Sequence, residues 1–272
     1  MIRAYRSEWA KLLRPGQVLG SWGTMVGFGV LLALLLLTNA KDIAQAEDPG
    51  QGPPSIPLST IEASGGAAFA FQATGQLLGI IALVIAAANV ATEYTAGTLK
   101  VLLVREPRRP VLFAGKLAAL WSFVLTGITL TLAATLLVSV VVASVRGIDM
   151  GAWWSADGWS AVGQAWLNVT AGAFVWALMG AMLAVLFRSG FPAIGIGIAY
   201  PLVVEGLLGI VLPDVVKWMP GSVLGRLAAG NATGAFGDAA GITYGQAAVL
   251  SVAYATVFAA VSVILLMRRD VD

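Results

Sequence analysis

Charged residues are distributed along this chain so as to leave long apolar gaps. Between Arg14 and Lys41 lie 26 residues without a charge, and comparable gaps separate Glu62 from Glu93, Lys116 from Arg146, Asp157 from Arg188 and Asp238 from Arg268. Each exceeds the roughly 20 residues that cross a bilayer core as a helix. A further gap, from Arg188 to Asp214, is broken only by Glu205. The pattern predicts six spans: Leu19 to Thr38, Ala67 to Ala91, Leu117 to Val145, Gln164 to Phe187, Ser189 to Leu212 and Gly245 to Met267. The expected fold is an all-α integral membrane protein with one transmembrane domain over residues 1–272.

Two segments outside the spans carry patterns of their own. Ile2, Tyr5, Trp9 and Leu12 recur at spacings of three, four and three, with Arg3, Arg6, Ser7 and Lys11 between them. This predicts an interfacial amphipathic helix within residues 1–16, ended by Pro15-Gly16. The loop after the second span, residues 92–116, reads TEYTAGTLKVLLVREPRRPVLFAGK. Thr95 suits the start of a short helix with Leu99, Leu102 and Leu103 on one side, and Pro107 and Pro110 forbid its continuation. An apolar stripe flanked by Glu93, Arg105, Glu106, Arg108 and Arg109 is more than a water-facing loop needs, and it predicts docking on lipid headgroups or a cytoplasmic partner.

Composition agrees with the spans. Of 272 residues 58% are apolar and 11% charged, with a mean hydropathy of +0.86. A soluble domain carries about 25% charged residues, so the polar material to cover a water-facing surface is missing. Basic residues are sorted by side: Arg3, Arg6, Lys11, Arg14, Lys100, Arg105, Arg108, Arg109, Lys116, Arg188, Arg268 and Arg269 fall on the side of the termini, 12 of 16. The other side holds eight acids and only Lys41, Arg146, Lys217 and Arg226. The expected orientation has both termini cytoplasmic. A cleaved signal peptide ending at Ala44-Gln45-Ala46 competes for the first span, but the apolar run is too long for its core. Arg outnumbers Lys by 11 to 5, which hints at a high-GC bacterial source, and the expected location is the bacterial plasma membrane.

Cys and His are both absent, which removes thiol nucleophiles, the Ser-His-Asp relay and nearly every zinc hydrolase. Trp153, Trp154, Trp159, Trp166 and Trp218 are expected in an outer interfacial belt, and Trp9, Trp22 and Trp121 in an inner one. The pairs Gly23/Gly27, Gly221/Gly225 and Gly241/Gly245 are expected at close helix contacts.

The loop motif Glu93-Tyr94-x-x-Gly97-Thr98-x-x-x-Leu102-Leu103, then Pro107, Arg109 and Lys116, resembles the first cytoplasmic loop of permease subunits of type-2 ATP-binding-cassette exporters. Ser7-Glu8-Trp9-x-Lys11 is similar to that family's connecting helix, and Lys217-Trp218-Met219-Pro220 to its extracellular segment that dips back toward the membrane within residues 213–244. The sequence departs from the pattern in Arg105-Glu106 before Pro107 and in a second proline, Pro110. The resemblance implies a type V exporter-like architecture, with a coupling helix in the loop that fits a groove on an ATPase subunit. It also implies two ATPase copies, which bind ATP and magnesium, and a second permease copy, identical or related. The docking residues so implied are Glu93, Tyr94, Gly97, Thr98, Leu102, Leu103 and Arg109, supported by Glu8 and Lys11. The phosphate-binding pattern GxxxxGK[ST] does not occur, since Gly115-Lys116 is followed by Leu117, so ATP hydrolysis is expected in a separate chain and none in this one.

Glu205 is the only ionisable residue within a predicted span, where a charge costs about 2.5 to 3.5 kcal/mol near the centre. It is read either as a site for a cationic substrate or a proton, or as a hydrogen-bonded carboxyl tying the fifth span to a neighbour or to the extracellular segment. Pro201, Gly206 and Gly209 predict a kinked or loosened helix around it. Gln72 and Gln76 share a face of the second span, and line a substrate pathway between two permeases or bond another helix of the same chain. The expected function is the membrane subunit of an exporter for a hydrophobic or amphipathic solute (drug, antibiotic, lipid or peptide). The alternatives are a proton-coupled secondary transporter using Glu205 and, more weakly, an intramembrane enzyme.

Overall fold

The computed structural model describes residues 2–41, 56–95, 109–230 and 241–268. Helix α1 is Ile2–Leu12, and α2, Pro15–Thr38, starts with Pro15 in its first turn, where a missing N–H costs nothing. A two-residue parallel pair, β1 (Ala40–Lys41) with β2 (Ile56–Pro57), and the short α3 (Leu58–Glu62) lead to α4, Gly66–Thr95. Helix α5 is Arg109–Arg146. A 3-10 turn at Gly151–Trp154 precedes α6, Ala156–Phe187. Then come α7 (Gly190–Ala199), a π-helical turn (Tyr200–Val204), α8 (Glu205–Val211), α9 (Pro213–Val216), α10 (Pro220–Ala229) and α11 (Tyr244–Arg268).

Six helical stretches are long and apolar enough to cross a membrane: Pro15–Thr38, Gly66–Thr95, Ala114–Arg146, Ala156–Phe187, Gly190–Val211 and Tyr244–Met267. All six predicted spans are therefore present, each within a few residues of its expected ends except the fourth. That helix begins eight residues before Gln164 because Ser155 caps it, accepting from the Gly158 N–H at 3.1 Å. Six crossings return the chain to its starting side, called here the terminal side, opposite the far side.

Burial separates two central helices from four outer ones. The apolar windows of α4 and α6 are 61 and 72% buried inside the chain, against 17 to 28% for the other spans. Lipid tails are as apolar as leucine, so helices in a bilayer associate through close packing rather than through water exclusion. Glycines permit that packing. The Trp176 ring of α6 fills the place of a Gly79 side chain on α4, and the Leu83 carbonyl of α4 fills that of Gly180 on α6. A Cβ at Gly75 would stand 2.6 Å from that of Ala228, which seats α10 on α4.

Of the glycine pairs expected from sequence spacing, Gly221/Gly225 does lie at such a contact, where added Cβ atoms would stand 2.5 Å from Glu205 Oε2 and 3.4 Å from Gln76 Oε1, and the others do not. Gly23 meets only Leu19 of its own helix, and Gly27 and Gly245 meet nothing within 4 Å. Four-residue spacing marks one helix face but does not say what lies opposite it, and α2 and α11 turn those faces outward.

The amphipathic face of α1 also has a different cover from lipid. Leu12 is fully buried, the Tyr5 hydroxyl lies 3.0 Å from Ser122 Oγ, and Trp9 meets Phe123 edge-on at 6.0 Å. Helix α1 is thus docked on the terminal end of α5. On the far side a second apolar cluster gathers Leu37, Ile61, Phe69, Ala143, Ile148 and Trp153. Trp153 leaves the expected interfacial belt, being 3% exposed with its Nε1 donating to Ile61 O at 2.7 Å. Arg146 donates to Leu37 O and Ala40 O, covering the open carbonyls at the end of α2.

Candidate functional site

Four charged side chains meet on the terminal side. Glu8 and Lys11 share a face of α1 three residues apart, Glu93 lies in the last turn of α4, and Lys116 is two turns into α5. Lys11 Nζ lies 2.6 Å from Glu8 Oε1 and 3.6 Å from Glu93 Oε1, while Lys116 Nζ lies 2.5 Å from Glu93 Oε1 and 3.6 Å from Glu8 Oε2. The result is a closed ring in which every acid faces both bases. Glu8, Glu93 and Lys116 are 4, 7 and 5% exposed, so all three are desolvated and depend on one another for compensation. Glu93 Oε1 is balanced through its contacts to both ammonium groups.

Lys11 forms the wet edge of the ring. Burial lowers its pKa, and the hydrogen bond to and charge of Glu8, followed by Glu93, outweigh this and hold the ammonium above its ordinary value. A base with a raised folded pKa contributes stability below its unfolded pKa and loses it as pH rises through the folded one. The docking of α1 through Lys11 is therefore expected to be insensitive to pH from 6 to 9 and to weaken only above the ordinary lysine range near 10.5. Proteolysis of the N-terminal segment across that pH series would check this, and loosening near neutral pH would contradict it.

The ring joins the two helices that flank residues 96–108. Of the expected docking residues, Glu8, Lys11 and Glu93 belong to it, and Tyr94 packs half-buried against the core beside it. Gly97, Thr98, Leu102 and Leu103 lie outside the described residues, as do the expected short helix and the side chain of Arg109, which opens α5. Thr95 sits in the last turn of α4 and not at the start of a new helix; its hydroxyl donates to Thr92 O at 3.2 Å and Ala91 O at 3.4 Å. Sequence reasoning placed Lys116 in the motif but gave it no role. No spacing rule links Glu93 to a lysine 23 positions later across an intervening loop.

Glu205 lies toward the far side and is 5% exposed. It follows the π-helical turn, where its N–H reaches the Tyr200 carbonyl five residues back, so the loosening expected around Pro201 is present. Its Oε1 accepts from Gly221 N at 2.8 Å and its Oε2 from Ser222 N at 2.9 Å, with Ser222 Oγ at 3.4 Å and the Tyr200 hydroxyl also bonded. The carboxylate thus caps α10, supplied by another helix, and faces the positive end of its dipole. Gly221 makes room, since a Cβ there would lie 2.5 Å from Oε2. Tyr254 of α11 adds an anchor by donating to Trp218 O at 2.6 Å. Of the two readings of Glu205, the geometry matches the hydrogen-bonded tie, here to the segment that follows the fifth span.

Glu205→Gln keeps shape and volume but turns an amide N–H toward one of the two backbone donors. It is expected to cost about 1 to 2 kcal/mol, the upper part of the range for a lost cap, seen as a lower unfolding temperature in detergent. Gly221→Ala, which displaces the carboxylate sterically, should behave alike. Wild-type stability in both variants would show that the cap contributes nothing.

Gln72 and Gln76 point at α10 of their own chain. The Gln76 amide lies under Gly225, and the Gln72 amide lies near Gly230. Asn168 of α6 joins them, accepting from the Tyr244 hydroxyl at 2.8 Å. In the sequence Asn168 is an uncharged polar residue within the fourth span, and nothing there foretold its partner.

The chain is an all-α, multi-pass membrane protein with a buried ionic ring on the terminal side, joining three helices, and a carboxylate-capped helix toward the far side. It belongs to a family described as a protein of unknown function (DUF2705), whose model matches residues 51–271. Comparison with curated proteins gave no match.

Proposed function

We propose that this chain is the permease subunit of an ATP-driven exporter, lying in a bacterial plasma membrane with both termini in the cytoplasm. The observation that carries the reading is the ionic ring. It fastens α1 to both ends of the loop over residues 96–108, so that three segments share one joint at the place where an ATPase would push. Such a joint has a purpose if the loop receives force. In a loop that merely linked two spans, three charges drawn out of water would be hard to account for, since buried ion pairs seldom add net stability.

In this reading two ATPase subunits, carrying ATP and magnesium, bind the loop through Gly97, Thr98, Leu102 and Leu103. A second permease copy completes the pathway, and the cargo is a hydrophobic or amphipathic solute. Closure of the ATPases moves the loop, and the ring passes that movement to α1, α4 and α5 together. The proton-coupled alternative draws no support from Glu205, because both its oxygens accept from the backbone of α10.

Pull-down of the tagged chain in mild detergent is expected to bring down a subunit with a phosphate-binding loop and measurable ATPase activity. Gly97→Trp should leave the chain inserted and abolish both co-purification and transport. A chain that purifies alone and transports in liposomes without ATP would overturn the proposal.

A further inference from the structure

Helix α10 covers hydrogen-bonding atoms that have no partner. Gln76 Oε1 and Asn168 Nδ2 are inaccessible to water and make no hydrogen bond among the described residues, and Asn168 is 4% exposed. Each lies beneath a glycine: a Cβ at Gly225 would stand 3.4 Å from Gln76 Oε1, and one at Gly230 would stand 2.8 Å from Asn168 Nδ2. The Gln72 amide nitrogen lies beside Gly230 as well, 3.7 Å from that position. In the low-dielectric interior of a membrane protein a polar group without a partner is unfavourable, because the water it has lost is not replaced. One orphan is an acceptor and the other a donor, and both become accessible only if α10 withdraws.

We propose that the amides of Gln72, Gln76 and Asn168, with the Tyr244 hydroxyl, form a binding site for the neutral hydrogen-bonding head of an amphipathic solute. The proposal rests on the transport reading and narrows its cargo. A carboxamide or hydroxyl group both donates and accepts, which matches one free acceptor and one free donor. The neighbouring charge does not compete, because Arg226 donates from Nε to Ile242 O at 3.2 Å and from Nη1 to Gly230 O. A charged head would enter a site of neutral amides in which the Arg226 Nε and Nη1 donors are already taken, and lose its hydration without return. The cover is a short helix of ten residues, capped at its start by the Glu205 carboxylate and packed on α4 through Ala228, so opening the site means lifting it from both.

The test uses the purified full chain in nanodiscs and three probes of equal tail length: decanoyl-N-methylglucamide, decyltrimethylammonium and decyl sulfate. The glucamide is expected to raise the thermal unfolding midpoint saturably, and the charged probes are not. Gln76→Met removes the free acceptor, and Asn168→Asp removes the free donor while keeping the oxygen that Tyr244 bonds. Each should weaken the apparent affinity at least tenfold, and Gln76→Met without probe should unfold no lower than wild type, because the atom removed has no partner.

Equal stabilisation by all three probes would show tail partition only and overturn the site. So would an unchanged glucamide response in both variants, or a Gln76→Met chain that unfolds well below wild type. The assay needs no ATPase. Saturable, amide-dependent binding in a chain that brings down no motor would keep the site and remove the exporter, and the converse result would keep the exporter and remove the site.

Discussion

Replacing Lys116 by methionine is expected to lower stability by about 3 to 5 kcal/mol, the cost of breaking a buried ion pair from one side, and to release α1 from α5. The ammonium is the inner member of the ring, 2.5 Å from Glu93 and 3.6 Å from Glu8, and it is as buried as they are. Without it two desolvated carboxylates face only Lys11, whose side chain is 45% exposed and screened by water. Methionine keeps the stem volume, so the loss reports charge and not packing. The double variant Lys116→Met, Glu93→Gln should recover part of the loss, because it removes one uncompensated charge, and a double-mutant cycle on the unfolding free energy measures the coupling. A single variant as stable as wild type would mean that the ring is neither needed to hold α1 nor able to act as a joint.

Gly180→Leu is expected to do comparable damage by another route. The Leu83 carbonyl of α4 occupies the place of a side chain at Gly180, and a backbone atom in the middle of a 30-residue helix cannot step aside as a rotamer can. Even alanine would overlap it, and leucine would force apart the two central helices, around which the other four are arranged. Overpacking of a core costs roughly 1 to 3 kcal/mol where neighbours can adjust. Here they cannot, so little folded, monodisperse protein should survive extraction in mild detergent. Gly27→Leu is the control, because nothing lies within 4 Å of Gly27 and the new side chain would meet lipid. If the two variants behaved alike, the close contact between α4 and α6 would not hold the bundle together.

Much of the architecture was legible because a bilayer imposes a severe rule: a spanning segment must be apolar for about 20 residues and must satisfy its own backbone. Charge-free gaps report that rule directly, which is why five of the six spans could be read within a few residues of both ends and the fourth at its second end. The amphipathic face of α1 and the loosening near Pro201 are local for the same reason, since spacing and proline sterics act within a turn or two. Trp153 shows where locality stops. A tryptophan near the end of a span reads as an interfacial anchor until the fold brings Ile61 to its ring nitrogen.

The sequence by itself determined the class of protein, the number of crossings, the sorting of charge between sides and the amphipathic pattern of α1. Each follows from the chain's interaction with water and lipid, which acts on every residue separately. Only the tertiary structure decided which residues compensate one another. Lys116 completes the ring with Glu8 and Glu93, Glu205 caps a helix 16 residues further on, Gly180 rather than Gly27 lies at a close contact, and Gln76 and Asn168 lie beneath Gly225 and Gly230. Pairing between distant segments depends on how rigid helices rotate and slide against each other. A buried charge or an unpaired amide announces that a partner is needed, and packing alone decides which group that is.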